Sequence, residues 1–318
     1  MNAYVTLLIN ESYVPGALVL AKALRNNGTK FKLAILLDTS TVSAYSQNLI
    51  KELYDDIIEI NDDKIFMPVD LVTRKLGRPQ LAVTLTKILI WQLVQYKHII
   101  YLDADTVPLK SLDHLFERFA SQKPTEVVAS PDIGWPDVFN SGFMVIKPDP
   151  SVYAFIKNYS EQGEMVSYDG ADQGLLNEVF HLQDHEGYNW IRLPFVYNMT
   201  PSTLYQNSPA IERFLYDIHL VHFVGAIKPW LYGSQTGTMF HDMWWKIFND
   251  NFLEVDRVKL LSQKPKDGLN LKSSSGSTFT DTTSIASAFS ALNVEEAAKV
   301  FPWEHRDPVS ATRVFDLT

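Results

Sequence analysis

Two kinds of hydrophobic spacing alternate through the first two-thirds of the chain. Short apolar runs, rich in β-branched and aliphatic residues, predict buried strands at residues 4–10, 31–38 and 99–103. Segments with apolar residues at helical spacing predict helices at residues 16–28, 41–56 and 81–96. Gly28 is placed to end the first helix. The alternation predicts an α/β fold, a mostly parallel sheet with helices on both faces, in which ligands bind beyond the carboxyl ends of the strands.

The later part of the chain is less regular. Its pattern predicts strands at residues 142–146 and 217–225 and a short helix at residues 170–180. From residue 262 the sequence becomes polar and rich in Ser, Thr, Gly and Lys, which is typical of a flexible linker.

The change in composition predicts three parts. They are a folded domain at residues 1–261, a linker at 262–284 and a C-terminal segment at 285–318 that contains a helix. Phe301, Trp303 and Phe315 in the last segment fit either a docking peptide or a final element packed on the core.

Composition excludes several classes of function. The formal net charge of −9 argues against a nucleic-acid partner, and the absence of cysteine excludes disulfides and thiolate chemistry. No apolar segment approaches the roughly 20 residues that a membrane span needs. The first 16 residues lack a basic region followed by a long apolar core. These features predict a cytoplasmic protein without a membrane partner.

Two carboxylates, Asp103 and Asp105, follow a buried strand and are separated by one residue. In extended chain, positions i and i+2 share a face, so both side chains are expected to point to one place beyond the sheet edge. Close carboxylates resist joint ionisation unless a cation lies between them. The pair therefore fits a hard divalent metal, although two ordinary loop aspartates remain the alternative.

His222 lies on an apolar stripe of the predicted strand at residues 217–225. It fits either a hydrogen-bonded core histidine or a third metal ligand, and an imidazole ligand favours Mn²⁺ over Mg²⁺. Lys228 follows at a glycine-containing turn, where it is either a solvated surface residue or a point charge for a phosphate.

Asp169 and Asp172 stand three residues apart at the start of the predicted helix at residues 170–180. Asp169 fits an N-terminal cap of that helix. Asp172 is not explained as a cap if Asp169 serves as one, and it is free to face a sugar.

The motifs YLDADTVPL, GWPDVFNSGFMV, DGADQGLLNEVF and VHFVGAIKPW occur in this order along the chain. Together they resemble the glycogenins, within family 8 of the retaining glycosyltransferases, over roughly residues 1–232. The resemblance implies a GT-A fold, with a Rossmann-like nucleotide-binding sheet. It also implies an Mn²⁺-dependent enzyme, with Mg²⁺ as the alternative metal, and UDP-glucose as the donor.

The resemblance also implies roles for individual residues. Asp103, Asp105 and His222 match the metal ligands. Asp172 and Lys87 match the catalytic residues. The remaining matched positions, which the family uses to bind the donor, are Leu7, Asn10, Tyr13, Arg78, Ala104, Asn140, Ser141, Asp169, Gln173, Gly225 and Lys228. Ile9 departs from the pattern, because it stands where a hydroxyl is expected and has no hydrogen-bond donor in its side chain.

Glycogenins glucosylate themselves on a tyrosine and then extend an α-1,4 glucan. Tyr205 follows the segment LPFVYN at the expected place, and Tyr232 is the alternative acceptor. The resemblance further implies a homodimer and, through FPWEHRDP near the C-terminus, a docking site for glycogen synthase. Retention allows either a double displacement with Asp172 as the nucleophile or attack from the leaving-group face.

Three other functions compete with this interpretation. A galactinol synthase-like transferase of the same family would need no acceptor tyrosine. A non-catalytic scaffold for glycogen synthase would not need the set of carboxylates with His222 and Lys228. A nicotinamide dehydrogenase would carry G-x-G-x-x-G after the first strand, which INESYVPGALVL lacks.

Overall fold

A seven-stranded sheet, with strand order β3-β2-β1-β4-β7-β6-β8, forms the centre of the fold. Its strands are β1 (Ala3–Leu8), β2 (Lys32–Leu37), β3 (Asp56–Glu59), β4 (Ile99–Leu102), β6 (Glu126–Pro131), β7 (Phe139–Ile146) and β8 (Asn189–Arg192). Only β7 runs antiparallel to its neighbours. The predicted mostly parallel sheet is confirmed. A second, two-stranded antiparallel sheet joins β5 (Thr106–Pro108) to β9 (Leu220–His222).

The computed structural model describes residues 1–67, 75, 79–134, 136–163, 166–225, 227–232 and 238–262, without the side chains of 79–82, 205 and 232. These residues belong to one compact unit, Met1–Lys266. The predicted linker and C-terminal segment lie outside the described residues apart from Ser262, so the three-part division stays a prediction. Among the described residues, no helix is both long enough and apolar enough to cross a bilayer.

Helices cover the sheet. The α-helices are α1 (Val14–Asn26), α2 (Ala44–Leu53), α3 (His114–Arg118), α4 (Pro150–Ser160), α5 (Asp172–Asn177), α6 (Thr203–Gln206), α7 (Ser208–Phe214), α8 (Pro229–Tyr232), α9 (Met239–Asn251) and α10 (Glu254–Leu261). Short 3₁₀ turns lie at Glu11–Tyr13, Phe195–Tyr197 and Leu215–Asp217, and a π-helical turn, Glu178–Leu182, continues α5. Every residue of β1 is buried, so both faces of the sheet are covered.

The first helix ends as predicted. Gly28 follows α1 with a φ of 83°, and its N–H donates to the carbonyl of Arg25 at 2.9 Å. A left-handed residue at this position satisfies a carbonyl in the last turn, and glycine adopts it without steric cost.

The segment predicted as a helix at residues 81–96 is a 3₁₀ helix, Pro79–Gln92. With three residues per turn, positions three apart lie directly above one another. Thr84 and Lys87 therefore share one face, and both donate to Asp172. The run contains several β-branched residues, which lowers its preference for the α-helix.

Candidate active site

A cavity of about 380 Å³ opens at the edge of the sheet where β1 and β4 end and β7 begins. The predicted donor-binding residues with described side chains all line it: Leu7, Asn10, Tyr13, Lys87, Asp103, Ala104, Asp105, Asn140, Ser141, Asp169, Asp172, Gln173, His222, Gly225 and Lys228. Ile9, which departs from the family pattern, lines it too. The antiparallel pairing of β4 with β7 explains part of this grouping, because it brings the start of β7 beside Asp103.

Asp103, Asp105 and His222 form one cluster, in which a ligand atom from each lies within 4.8 Å of the others. The Nε2 atom of His222 lies 3.2 Å from Oδ1 of Asp105 and 3.9 Å from Oδ2 of Asp103. The pairing of β5 with β9 makes this possible, because it sets His222 opposite Thr106. Two carboxylates and an imidazole are a suitable donor set for a divalent cation, so the residues present fit a metal.

Gly142 lets the imidazole of His222 approach the backbone of β7. A Cβ atom at this position would lie 2.2 Å from Cε1 of His222 and 2.9 Å from Oδ2 of Asp103. The carbonyl of Gly142 accepts the N–H of Asp103 at 2.9 Å. Any side chain here would therefore displace His222 and Asp103, two of the three candidate metal ligands.

Lys87 is a buried cation between two carboxylates. Its Nζ lies 2.6 Å from Oδ2 of Asp172 and 3.2 Å from Oδ1 of Asp103. Burial alone would lower the pKa of Lys87, but the charges of Asp103 and Asp172 outweigh it and raise that pKa. Lys87 therefore keeps its charge at neutral pH.

The carboxylate of Asp172 is held through both oxygens. Oδ1 accepts from the hydroxyl of Thr84 at 2.6 Å, and Oδ2 accepts from the hydroxyl of Ser141 at 2.8 Å. Burial alone would raise the pKa of Asp172, but the charge of Lys87 and these hydrogen bonds together lower it. Asp172 is thus a fixed negative charge that lines the cavity.

Asp169 accepts hydrogen bonds at the start of the helix that begins with Asp172. Its Oδ1 accepts the N–H groups of Ala171 at 2.8 Å and Gly174 at 3.0 Å, and the hydroxyl of Ser167 at 3.0 Å. Burial, with a further contribution from the charge of Asp172, raises the pKa of Asp169 despite these hydrogen bonds. Ala171 is the N-cap residue of this helix, and Asp169, two residues earlier, accepts the N–H of Gly174 in its first turn, while Asp172 lines the cavity.

Lys228 is buried rather than solvated at the surface. Its ammonium group pairs with Asp105, donates to the carbonyl of Phe223 at 2.7 Å and lies 5.6 Å from the centre of the Tyr13 ring. Gly225, at the preceding turn, has a φ of 92°. A positive charge therefore lies directly beside Asp105, one of the three candidate metal ligands.

Comparison with known proteins agrees with this geometry. The family model for glycosyl transferase family 8 matches residues 4–234. The chain belongs to this family. Within family 8, rabbit (Oryctolagus cuniculus) glycogenin-1 is 37% identical over 276 residues, which cover 80% of this chain and 77% of that protein.

Two further relatives are longer than this chain. Glycogenin of Neurospora crassa is 40% identical over 79% of this chain, and human glycogenin-2 is 36% identical over 80% of it. The chain spans only 35% of the first protein and 52% of the second.

Solved structures agree on the fold. The galactosyltransferase LgtC, solved with donor and acceptor sugar analogues, has a TM-score of 0.56 at 16% identity and covers 81% of this chain and 100% of its own. The glycosyltransferase GlyE of Streptococcus pneumoniae has a TM-score of 0.56 at 18% identity, over 83% of this chain and 63% of its own. The predicted GT-A fold is confirmed.

Three predicted family 8 positions lack a described side chain. Arg78 lies outside the described residues, and the structure gives only the backbone of Tyr205, in α6, and of Tyr232, at the end of α8. The predicted roles of these residues stay predictions.

Sequence reasoning did not assign roles to Tyr101, Asp132, Gly142 and Asn198. Tyr101 donates to Oδ1 of Asp103 at 2.7 Å, and Asp132 accepts from Gln173 at 2.7 Å. Tyr101, Asp132 and Gly142 line the cavity. Strand alternation offered one signal, because Tyr101 lies two residues before Asp103 and shares its face.

Proposed function

We propose that the chain is a glycogenin-type enzyme that transfers glucose from UDP-glucose to its own tyrosine and then extends an α-1,4 glucan, with retention of configuration. The main support is the joining, in one cavity, of the Asp103, Asp105 and His222 cluster with the Lys87 and Asp172 pair. Relatives that carry the name glycogenin over about four-fifths of the chain support the same assignment.

The proposed metal is Mn²⁺, held by Asp103, Asp105 and His222. An imidazole beside two carboxylates suits Mn²⁺ better than Mg²⁺, which prefers oxygen ligands alone. The bound cation would supply positive charge for the diphosphate of the donor.

Lys228 contributes a second positive charge at the place where the leaving group would carry its negative charge. It already pairs with the ligand Asp105 from within a buried site, where charge interactions are stronger than in water. In the proposed reaction Lys228 stabilises the departing UDP.

Asp172 acts on the sugar side. The transition state of glycosyl transfer carries positive charge at the anomeric carbon. Asp172 is held by Thr84, Ser141 and Lys87 and has a lowered pKa, so it remains ionised and fixed in direction. This arrangement favours a role in stabilising that charge or positioning the acceptor over a role as a mobile nucleophile.

The proposed acceptor is the hydroxyl of Tyr205, with Tyr232 as the alternative, followed by the growing glucan. We also propose a homodimer, a cytoplasmic location and docking of glycogen synthase on residues 285–318. The acceptor tyrosines, the homodimer and the docking site follow from the sequence resemblance, and the location follows from the composition and hydropathy features given above.

Intact-mass measurement tests the function. Incubation with UDP-glucose and Mn²⁺ should raise the mass of the chain in steps of one hexose, and a chelator should stop the increase. Asp172→Asn should slow the increase about a hundredfold or more, the usual effect of losing one group that stabilises transition-state charge, while UDP affinity stays close to that of the wild type. An unchanged mass of the wild-type chain would refute the proposal, and an unchanged rate in Asp172→Asn would refute the role of that residue.

A further inference from the structure

We infer that Asn198 is a positioning residue of the metal centre, because its amide holds the imidazole of His222 in the Nδ1–H form and directs Nε2 toward Asp103 and Asp105. This inference deepens the proposed function, since it rests on the same metal site. Asn198 does not line the cavity; it acts on the site through His222.

The orientation of the Asn198 amide follows from one backbone group. The N–H of Gly142 donates to Oδ1 of Asn140 at 2.9 Å, which identifies that atom as an acceptor. The Nδ2 group of Asn198 donates to the same oxygen at 2.8 Å. The opposite side of the Asn198 amide, its Oδ1, must therefore face away from Asn140.

That oxygen lies 3.1 Å from Nδ1 of His222. An amide oxygen only accepts hydrogen bonds, so Nδ1 of His222 must carry a hydrogen. In a neutral imidazole the lone pair is then on Nε2, the atom that lies 3.2 Å from Asp105. Asn198 thus selects the tautomer that a metal ligand requires.

Burial makes this selection effective. Asn198, Asn140 and His222 are each less than a tenth exposed, so water does not compete for these hydrogen bonds. The backbone adds a second connection, because the N–H of His222 donates to the carbonyl of Met199 at 2.8 Å. Both the direction and the tautomer of the ring are therefore fixed from the segment that contains Asn198.

Metal affinity tests the inference without any transfer reaction. The free Mn²⁺ signal in electron paramagnetic resonance gives the Kd of the wild type and of three variants, titrated with the metal alone. Asn198→Leu removes both hydrogen bonds at similar size and should weaken binding about 10- to 100-fold, the usual effect of losing the partner of a ligand histidine. Asn198→Asp keeps an acceptor for Nδ1–H and should retain more affinity than Asn198→Leu.

Thr200→Val is the matched control. Thr200 is buried on the same segment, and its hydroxyl contacts Ser202 and Thr203 rather than His222. This variant should bind Mn²⁺ as wild type does.

Nitrogen-15 spectra of labelled histidine give a second measurement that does not depend on the variants folding. With saturating Mg²⁺, the alternative metal and one that is not paramagnetic, the wild-type ring should carry its hydrogen on Nδ1 and present Nε2 to the cation. A hydrogen on Nε2 would overturn the inference, and so would wild-type Mn²⁺ affinity in a folded Asn198→Leu. Failure of the wild type to bind Mn²⁺ would instead refute the proposed metal site together with this inference.

Discussion

Replacing Lys87 with methionine tests the charge balance of the cavity. Methionine fills a similar volume but leaves the carboxylates of Asp103 and Asp172 without the cation between them. Removing one partner of a buried ion pair costs about 3–5 kcal/mol, because a charge stays buried without compensation. The Asp103 side chain is 30% exposed, and water there relieves part of the cost. We therefore expect a loss near the lower end of that range, about 3 kcal/mol, in the free energy of unfolding.

The loss should depend on pH at both ends of the scale. The folded-state pKa of Asp172 is below its ordinary value of 3.8, so its contribution is present above that value and is lost as the pH falls through the folded pKa. The folded-state pKa of Lys87 is above its ordinary value of 10.5, so its contribution is present below that value and is lost as the pH rises through the folded pKa. The difference between wild type and Lys87→Met should therefore be largest between those two ordinary values.

Urea unfolding in the presence of a chelator measures the effect. A loss of about 3 kcal/mol lowers the midpoint by about 1 M for an m-value of about 3 kcal/mol/M. Lys246→Met is the control, since it removes an exposed pair with Asp250 and should cost about 0.5 kcal/mol or less. A loss in Lys87→Met no larger than in this control would refute the argument from buried charge.

Two further substitutions test the construction of the site. Gly142→Ala puts a Cβ atom 2.2 Å from His222, so the ring must move by about 1.2 Å (3.4 − 2.2) to restore ordinary contact. Metal distances tolerate about 0.2 Å, so Mn²⁺ affinity should fall at least about tenfold; wild-type affinity in a folded variant would contradict the geometry. Glu11 accepts hydrogen bonds from the backbone N–H and the hydroxyl of Ser43, and these bonds hold the loop that carries Asn10 and Tyr13 at the cavity. Glu11→Gln weakens them. Loss of about 1 kcal/mol should raise the Kd of UDP about fivefold in calorimetry, and an unchanged Kd would show that the loop holds its position without this anchor.

Local sequence patterns predicted the position of each candidate metal ligand, but not that the three residues meet. Asp103 and Asp105 follow a buried run, and a strand pattern surrounds His222. Their meeting depends on β5 pairing with β9, which no local pattern specifies. The resemblance to the glycogenins predicted that His222 joins Asp103 and Asp105.

The roles of Asn198 and Gly142 were not predictable in the same way. Asn198 reaches the ring of His222 only because its segment lies alongside β9. Gly142 is required only because the ring of His222 packs on its backbone. Both relations join residues far apart in the chain. The 3₁₀ form of the helix Pro79–Gln92 was not predicted for a related reason. Its apolar spacing also fits an α-helix, and tertiary contacts decide between the two forms.

The most direct test of the central claim is peptide mapping of the chain after incubation with UDP-glucose and Mn²⁺. We expect hexose on the peptide that contains Tyr205 or on the one that contains Tyr232. In the double variant Tyr205→Phe, Tyr232→Phe no hexose should be attached. Hexose on neither peptide of the wild type, or self-glucosylation of the double variant at the wild-type rate, would contradict that claim.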